Sequence, residues 1–481
     1  MNTDNESARR ALVTGATGYI GGEVTAELLR RGWAVRTLSR DRGKAESMPW
    51  GDQIVPRGAR ADAGQVEVYE GDASAAEDLR AALSGVDVAW YLIHSMSETS
   101  DFRAEEVRMA KAFAHAAEEG DVGRIVYLGG LHPEGESLSE HLASRVEVGE
   151  VLMASRVPTA VLQAGVVIGE GSSSFEMLRH LSERLPGAIA PRWIRHRITP
   201  ISVRDAVYFL ASAADLPVGT NREFDAGSPD TMEYAEMMKA YARVAGLPPR
   251  WVATAPVTTP RLASYWVSLV TPVSRTLSQP LIGSLLHHTE LKERDLEAAV
   301  GTPAGGLQSF DTALGEALRG IDPRRWRRTA AVVGGAVVTC GIVGSLLVQP
   351  DNPWYRRLDL PSWQPPAAVF PVVWSGLYAD IAVVESLVMA DQREQGSHRA
   401  VRSSALALGV NLALNAGWCG LFFRSKRPRL STAWAALLAA SSADLVRRAW
   451  KSSPERGVLL APYAAWTSFA TFLNGAVAAR N

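Results

Sequence analysis

Residues 329–348, TAAVVGGAVVTCGIVGSLLV, run for twenty positions without a charge. In lipid a backbone that long satisfies its own polar groups only as a helix, so the run predicts a membrane span and not a buried helix of a soluble domain. Four more apolar segments follow, at 366–390, 401–423, 430–446 and 457–479, each roughly the ~20 residues a spanning helix needs. An all-α five-helix transmembrane bundle is expected over 329–481, entered through a basic hinge at 321–328 that contains DPRRWRR.

Composition supports the change of solvent. Seven of the 14 Trp lie behind the hinge, at Trp354, Trp363, Trp374, Trp418, Trp434, Trp450 and Trp466, interleaved with the apolar runs. The chain carries 50 Lys+Arg against 51 Asp+Glu, which argues against a nucleic-acid partner, but residues 330–481 hold 14 basic and 8 acidic residues and the rest is acidic. Near the helix ends 11 Lys/Arg fall on the side shared with the N-terminus and 7 on the other, predicting a cytoplasmic N-terminal domain at the cell membrane. MNTDNESARR has no apolar core behind it, so no cleavable signal peptide is expected. Cys340 and Cys419, each in an apolar run, read as buried thiols.

Residues 1–320 read differently. ALVTGATGYIGGEVTAELLRRGWAVRTLSR is a strand, a glycine turn, a helix and a strand; VEVYEGD, VAWYLI, RIVYLGG and TAVLQAGVVIG then alternate with helical stretches. The expected fold is an α/β Rossmann-like, doubly wound parallel sheet. From about Phe224 the pattern loosens, and 224–320 is expected to shape a substrate site; LASYWVSLV there is too short to span a bilayer and reads as a core helix or lid.

TGATGYIG, Thr14 to Gly21, sets glycines where a tight turn brings backbone close to a pyrophosphate at a helix N-terminus. Gly15, Thr17, Gly18, Tyr19 and Ile20 are the expected phosphate-side residues. At the end of the second strand SRDRGK offers Arg40 and Arg42 to a ribose 2'-phosphate, favouring NADP, while Asp41 keeps NAD open. Histidines such as His287 and His288 lack metal-binding spacing, predicting solvated side chains and no metal.

TGATGYIG, GDAS at 71–74 and YLIHSM at 91–96 resemble the atypical short-chain dehydrogenase/reductases, NmrA-like and extended. The resemblance implies that Asp72 lies near the adenine and that Leu92 and Ile93 line the cofactor. The family's Tyr and Lys, four apart on a helix, are absent, as is its serine; HLASR stands at the matching place. His141 and Arg145 would share one helix face there, as proton donor and orienting cation, or as an ordinary polar pair.

Behind the hinge, PSWQPPAAVFPVVWSGLY, NLALNAGWCGLFF and PYAAWTSFATFLN resemble the TspO/MBR family, the tryptophan-rich sensory or peripheral benzodiazepine receptor type. That resemblance implies a porphyrin-like or other hydrophobic ligand, with Trp363 and Pro365 capping a pocket lined by Tyr378, Asn415, Trp418 and Trp466. The alternative places the tryptophans in interfacial belts and the asparagines between helices. The last helix ends LNGAVAARN, without the Tyr of a cholesterol pattern. Two functions follow: a membrane-anchored NAD(P)H-dependent oxidoreductase acting on a tetrapyrrole- or isoprenoid-like molecule, or an NADPH-responsive sensor or transport protein. The membrane helices also offer a homodimer surface.

Overall fold

All five residues of β1 (Arg10–Thr14) are buried, as a strand covered on both faces requires. The computed structural model describes residues 8–93, 102–255, 259–349 and 351–481. After β1 come α1 (Tyr19–Arg30), β2 (Ala34–Ser39), β3 (Val66–Glu70), α2 (Ala76–Leu83), β4 (Val88–Tyr91), α3 (Phe102–Glu119), β5 (Arg124–Gly130), α4 (Glu140–Met153), β6 (Thr159–Ala164), α5 (Ser173–Arg184), α6 (Val203–Ser212), β7 (Arg222–Ala226), α7 (Tyr234–Val244) and α8 (Arg275–Ser284).

The seven strands form one sheet in the order β7-β6-β5-β4-β1-β2-β3, every pairing parallel. Chain order reverses between β1 and β4, and in such sheets ligands bind beyond the carboxyl ends of the strands at that switch. The register sets Thr14 opposite Tyr91, so the glycine turn emerges beside the residues that follow β4. One core packs Val24 and Leu28 of α1 and Phe209 and Leu210 of α6 under the sheet; the other packs Leu79, Leu83, Phe113, Val148 and Leu152 over it. Trp90 is fully buried, and its Nε1 donates to the Leu210 carbonyl at 2.9 Å.

By internal packing this sheet unit holds the chain to Ser264 and Val273–Ile321; a second unit holds Tyr265–Pro272 and Asp322–Asn481. The second unit is built from α9 (Arg325–Leu347), α10 (Val369–Glu394), α11 (His398–Cys419), α12 (Pro428–Ser452) and α13 (Pro454–Arg480). Three of these five, α9, α10 and α11 with its continuation to Arg424, are long and apolar enough to cross a membrane. In α12 the apolar run is interrupted by Asp444, Arg447 and Arg448.

A chain of hydrogen bonds ties the helices of the second unit. Tyr378 Oη donates to Asn415 Oδ1 at 2.9 Å, Asn415 Nδ2 to Tyr463 Oη at 3.4 Å, Tyr463 Oη to Asn411 Oδ1 at 2.6 Å, and Asn411 Nδ2 to Ser441 and Ser442 at 3.2 Å. Each of these groups finds its partner within the bundle. Gly417 lies under the Trp434 ring, where an added Cβ would stand 3.0 Å from it. At the start of α13 the buried Arg456 pairs with Asp391 at 2.6 Å and donates to the Leu269 carbonyl at 3.1 Å. LASYWVSLV is thus a helix (Pro260–Val270) that buries Val267 and Val270 and leaves Tyr265 and Trp266 exposed.

Candidate nicotinamide site

Gly15 adopts φ +72°, and a Cβ there would stand 2.6 Å from the Leu92 carbonyl oxygen and 3.4 Å from Ile93 N. The turn therefore rests directly on the two residues after β4. Thr14 fixes the approach, its Oγ1 donating to the Trp90 carbonyl at 3.0 Å and accepting from Leu92 N at 3.1 Å. Gly18 N closes the turn on the Gly15 carbonyl at 2.9 Å, and a Cβ on Gly21 would stand 2.2 Å from that oxygen. Gly18 is the N-cap of α1 and supplies no side-chain acceptor, so the first amides of a 12-residue helix stay open to an anion. Glycines where side chains cannot stand and an uncapped helix end fit a dinucleotide pyrophosphate. Gly15, Thr17, Gly18, Tyr19 and Ile20 would hold it.

At the end of β2 the two arginines differ. Arg42 Nε pairs with Glu46 at 2.8 Å and its Nη2 donates to the Val55 carbonyl at 2.9 Å, which ties it to its own helix and withdraws it from the 2'-phosphate role that spacing suggested. Arg40 is exposed, and among the described residues no hydrogen bond engages it. Asp72 accepts from the backbone and hydroxyl of Ser74 at 2.9 Å; those bonds, with a smaller contribution from the Arg40 charge, hold its carboxyl below the usual range. Asp41 caps the next short helix by accepting from Lys44 N at 3.2 Å. Of YLIHSM, positions 94–96 lie outside the described residues.

Beside the turn a cavity of about 190 Å³ is lined by Tyr19 and Ile20 of α1, His141, Leu142 and Arg145 of α4, and Leu277, Pro280 and Leu281 of α8. His141 and Arg145 are thus brought together against the turn, not left on an outer polar face. Ser139 caps α4, its hydroxyl accepting from Leu142 N at 3.4 Å, while its own N–H donates to His287 Nε2 at 3.2 Å. Ser144 on the same helix hydrogen-bonds the buried Glu106 of α3. Arg145 Nε is buried with no hydrogen-bond partner, a donor that a ligand oxygen in the cavity would satisfy.

One expectation, that of solvated histidines, is corrected here. Burial, and then the Arg145 charge, push His141 down to about 3, so near neutral pH its ring is an uncharged imidazole. Tyr127 beneath it is fully buried in the sheet core with its hydroxyl on the Arg145 carbonyl at 3.3 Å, and burial pushes the phenol up. The remaining histidines are not all solvated: His180 is fully buried and pushed down to about 4 by burial, and His287 is held between Ser139 and Glu136. Sequence reasoning missed the serines Ser172, Ser173 and Ser174 on the cavity wall, which lie in a stretch without a motif.

In the second unit Tyr378 and Trp466 pack against one hydrophobic cluster and Trp418 against another. Trp466 lies beside Phe370 and Phe469 (centroids 5.9 and 5.4 Å), and Trp363 joins them through Phe469 at 5.9 Å. Trp418 stacks on Phe422 at 5.4 Å within another aromatic cluster that includes Trp354 and Tyr355. Tyr378 and Asn415 bond each other in the interhelical chain. Pro365 is half-buried in the loop before α10. The indole Nε1 atoms of Trp418 and Trp466 are buried without acceptors.

Comparison with known proteins agrees with this division. The NmrA-like family matches residues 7–260 and the TspO/MBR family matches residues 332–480. The Translocator protein of Homo sapiens is 37% identical over 139 residues, 27% of this chain and 78% of its own length. The Tryptophan-rich protein TspO of Chlorobaculum tepidum is 29% identical over 147 residues, 30% of this chain and 91% of its own. Among solved structures, the triphenylmethane reductase of Citrobacter sp. shares the fold with a TM-score of 0.50 at 18% identity, covering 65% of this chain and 99% of that one. The chain therefore belongs to the NmrA-like family, with a TspO/MBR-family membrane domain fused behind its sheet domain.

Proposed function

We propose that this chain is a membrane-anchored oxidoreductase that uses NADPH, in preference to NADH, to reduce a hydrophobic molecule of the tetrapyrrole or isoprenoid kind. The observation that carries the reading is one cavity whose wall holds both Tyr19 and Ile20 of the uncapped glycine turn and His141 and Arg145 of α4. A bound nicotinamide supplies hydride; the chain's residues bind, orient and exclude water. Gly15 to Ile20 cradle the pyrophosphate, Arg40 pairs with the 2'-phosphate, and Asp72, Leu92 and Ile93 flank the adenosine half. Arg145 offers a charged donor to a substrate oxygen, and neutral His141 offers a ring N–H or a lone pair, not a full proton. The leucines of α4 and α8 exclude water around them.

In the same reading all five helices span the cell membrane with the sheet domain cytoplasmic, and the aromatic clusters around Trp363, Trp418 and Trp466 bind a flat hydrophobe such as a porphyrin. Tethering a reductase to a binder of lipophilic molecules raises local substrate concentration. The test is anaerobic incubation of the purified full-length protein with NADPH and a panel of porphyrins, quinones and isoprenoids. Cofactor oxidation that depends on one of them is expected; binding of NADPH without oxidation by any of them turns the proposal to the second reading. That second reading, an NADPH-responsive sensor, is favoured by the uncharged state of His141 together with the missing Tyr and Lys.

A further inference from the structure

One end of α9, α10 and α11 gathers positive charge. Arg325 and Arg328 at the start of α9, Arg393 at the end of α10, and His398 and Arg402 at the start of α11 line a single open cavity of about 510 Å³ with Asp322 and Val401. Four guanidinium groups thus face one carboxylate. Asp322 pairs with Arg328 at 2.7 Å, and Arg393 bonds Thr329 Oγ1. Among the described residues no hydrogen bond or ion pair engages the side chains of Arg325, His398 and Arg402.

The helix ends add to this field. Asp322 takes the Arg324 and Arg325 amides and the Gly396 carbonyl takes that of His398, but neither N-cap side chain, Arg324 or Ser397, accepts from the amides that follow, so the positive ends of two long helices border the same cup. Guanidinium groups this concentrated repel one another unless an anion lies among them, and a planar fork matches phosphate oxygens two at a time. These three helices are also the ones long and apolar enough to cross a bilayer; α9 and α11 begin at the cup and α10 ends there. A cup at that level of a spanning bundle faces the headgroup layer.

We propose that this cup is a phosphate-binding site, filled at the membrane surface by the phosphodiester of an anionic phospholipid headgroup. It rests on the membrane reading of α9 to α11, and a soluble organic phosphate shares the same chemistry. The full-length protein is placed in phosphatidylcholine nanodiscs containing phosphatidylglycerol, and retained lipid is counted by native mass spectrometry. In parallel, detergent-solubilised protein is titrated calorimetrically with inorganic phosphate and glycerol 3-phosphate.

Preferential retention of phosphatidylglycerol is expected, weakened about thirtyfold in an Arg325→Gln, Arg402→Gln double variant. An Arg424→Gln, Arg427→Gln control removes the same charge beyond the far end of α11 and leaves retention unchanged. Asp322→Asn removes the one acid and frees Arg328, so it raises retention, a gain that misfolding cannot imitate. Soluble phosphate binding with the same dependence on these variants, without lipid preference, assigns the site to a soluble ligand. If neither probe distinguishes the Arg325, Arg402 variant from the control, or if Asp322→Asn weakens binding, the site does not exist. Failure of the membrane reading shows separately, as release of the unmodified protein by alkaline carbonate.

Discussion

One carbon added at Gly15 meets the Leu92 carbonyl oxygen at 2.6 Å and must also accept φ +72°. Strain of this kind costs about 1–3 kcal/mol, so Gly15→Ala is expected to weaken NADPH binding about five- to 150-fold in a fluorescence titration; unchanged affinity removes the turn from the cofactor site. This residue was legible because its constraint is local, a spacing read within eight positions. His141 was legible as a position on a helix, but its environment was not: Leu277 and Leu281, which line the same cavity, come from α8, more than a hundred residues later. Burial places the folded pKa of His141 at about 3 and of His180 at about 4, both below the unfolded value near ~6.5. The unfolded chain then takes up protons first, so the stability these neutral rings contribute is complete above about pH 6.5 and is lost as pH falls toward the folded values. Melting temperature should drop between about pH 7 and pH 5, and drop less in His141→Gln. Parallel curves for the two proteins contradict the burial of this ring. No rate limb near 6.5 is expected from His141 itself.

At the scale of elements, the end of β2 separates two arginines that the sequence makes look alike. Arg40→Ala should lower the preference for NADPH over NADH about tenfold, while Arg42→Ala should leave the preference unchanged and lower the melting temperature, because Arg42 braces Glu46 and the Val55 carbonyl. The reverse pattern contradicts the assignment. The partners that remove Arg42 are set by how the chain returns at Val55, which no local pattern encodes. β7 was likewise hidden: REFDA carries only two apolar residues, and it becomes a strand because β6 offers it a parallel edge. In the helical unit, Asn411 and Asn415 were readable as costly residues in apolar runs, but their pairing through Tyr463 was not. Asn411→Leu leaves the Tyr463 hydroxyl without its acceptor, and the variant should melt earlier in detergent by an amount equivalent to about 1 kcal/mol. A melting point equal to the parent's places that network outside the packing.

For the whole molecule, the boundary between two solvent regimes was the most legible feature, because an uncharged twenty-residue run and a Val-rich strand alternation leave few alternatives. The parallel, doubly wound sheet and the glycine turn followed from the same patterns; the order of its strands did not. The cavity was not legible, since its wall draws on α1, α4, α5 and α8, which lie far apart in the chain. The proposed function requires hydride transfer in this cavity. It is tested most directly with NADPH carrying deuterium on the transferred position of the nicotinamide, incubated anaerobically with the full-length protein in nanodiscs and the panel of porphyrins, quinones and isoprenoids, with products weighed by mass spectrometry. One reduced product is expected that gains a single deuterium and forms more slowly in Gly15→Ala at limiting NADPH; a reduced product without label, or labelled product formed by Gly15→Ala at the parent's rate at limiting NADPH, would contradict hydride transfer at this site.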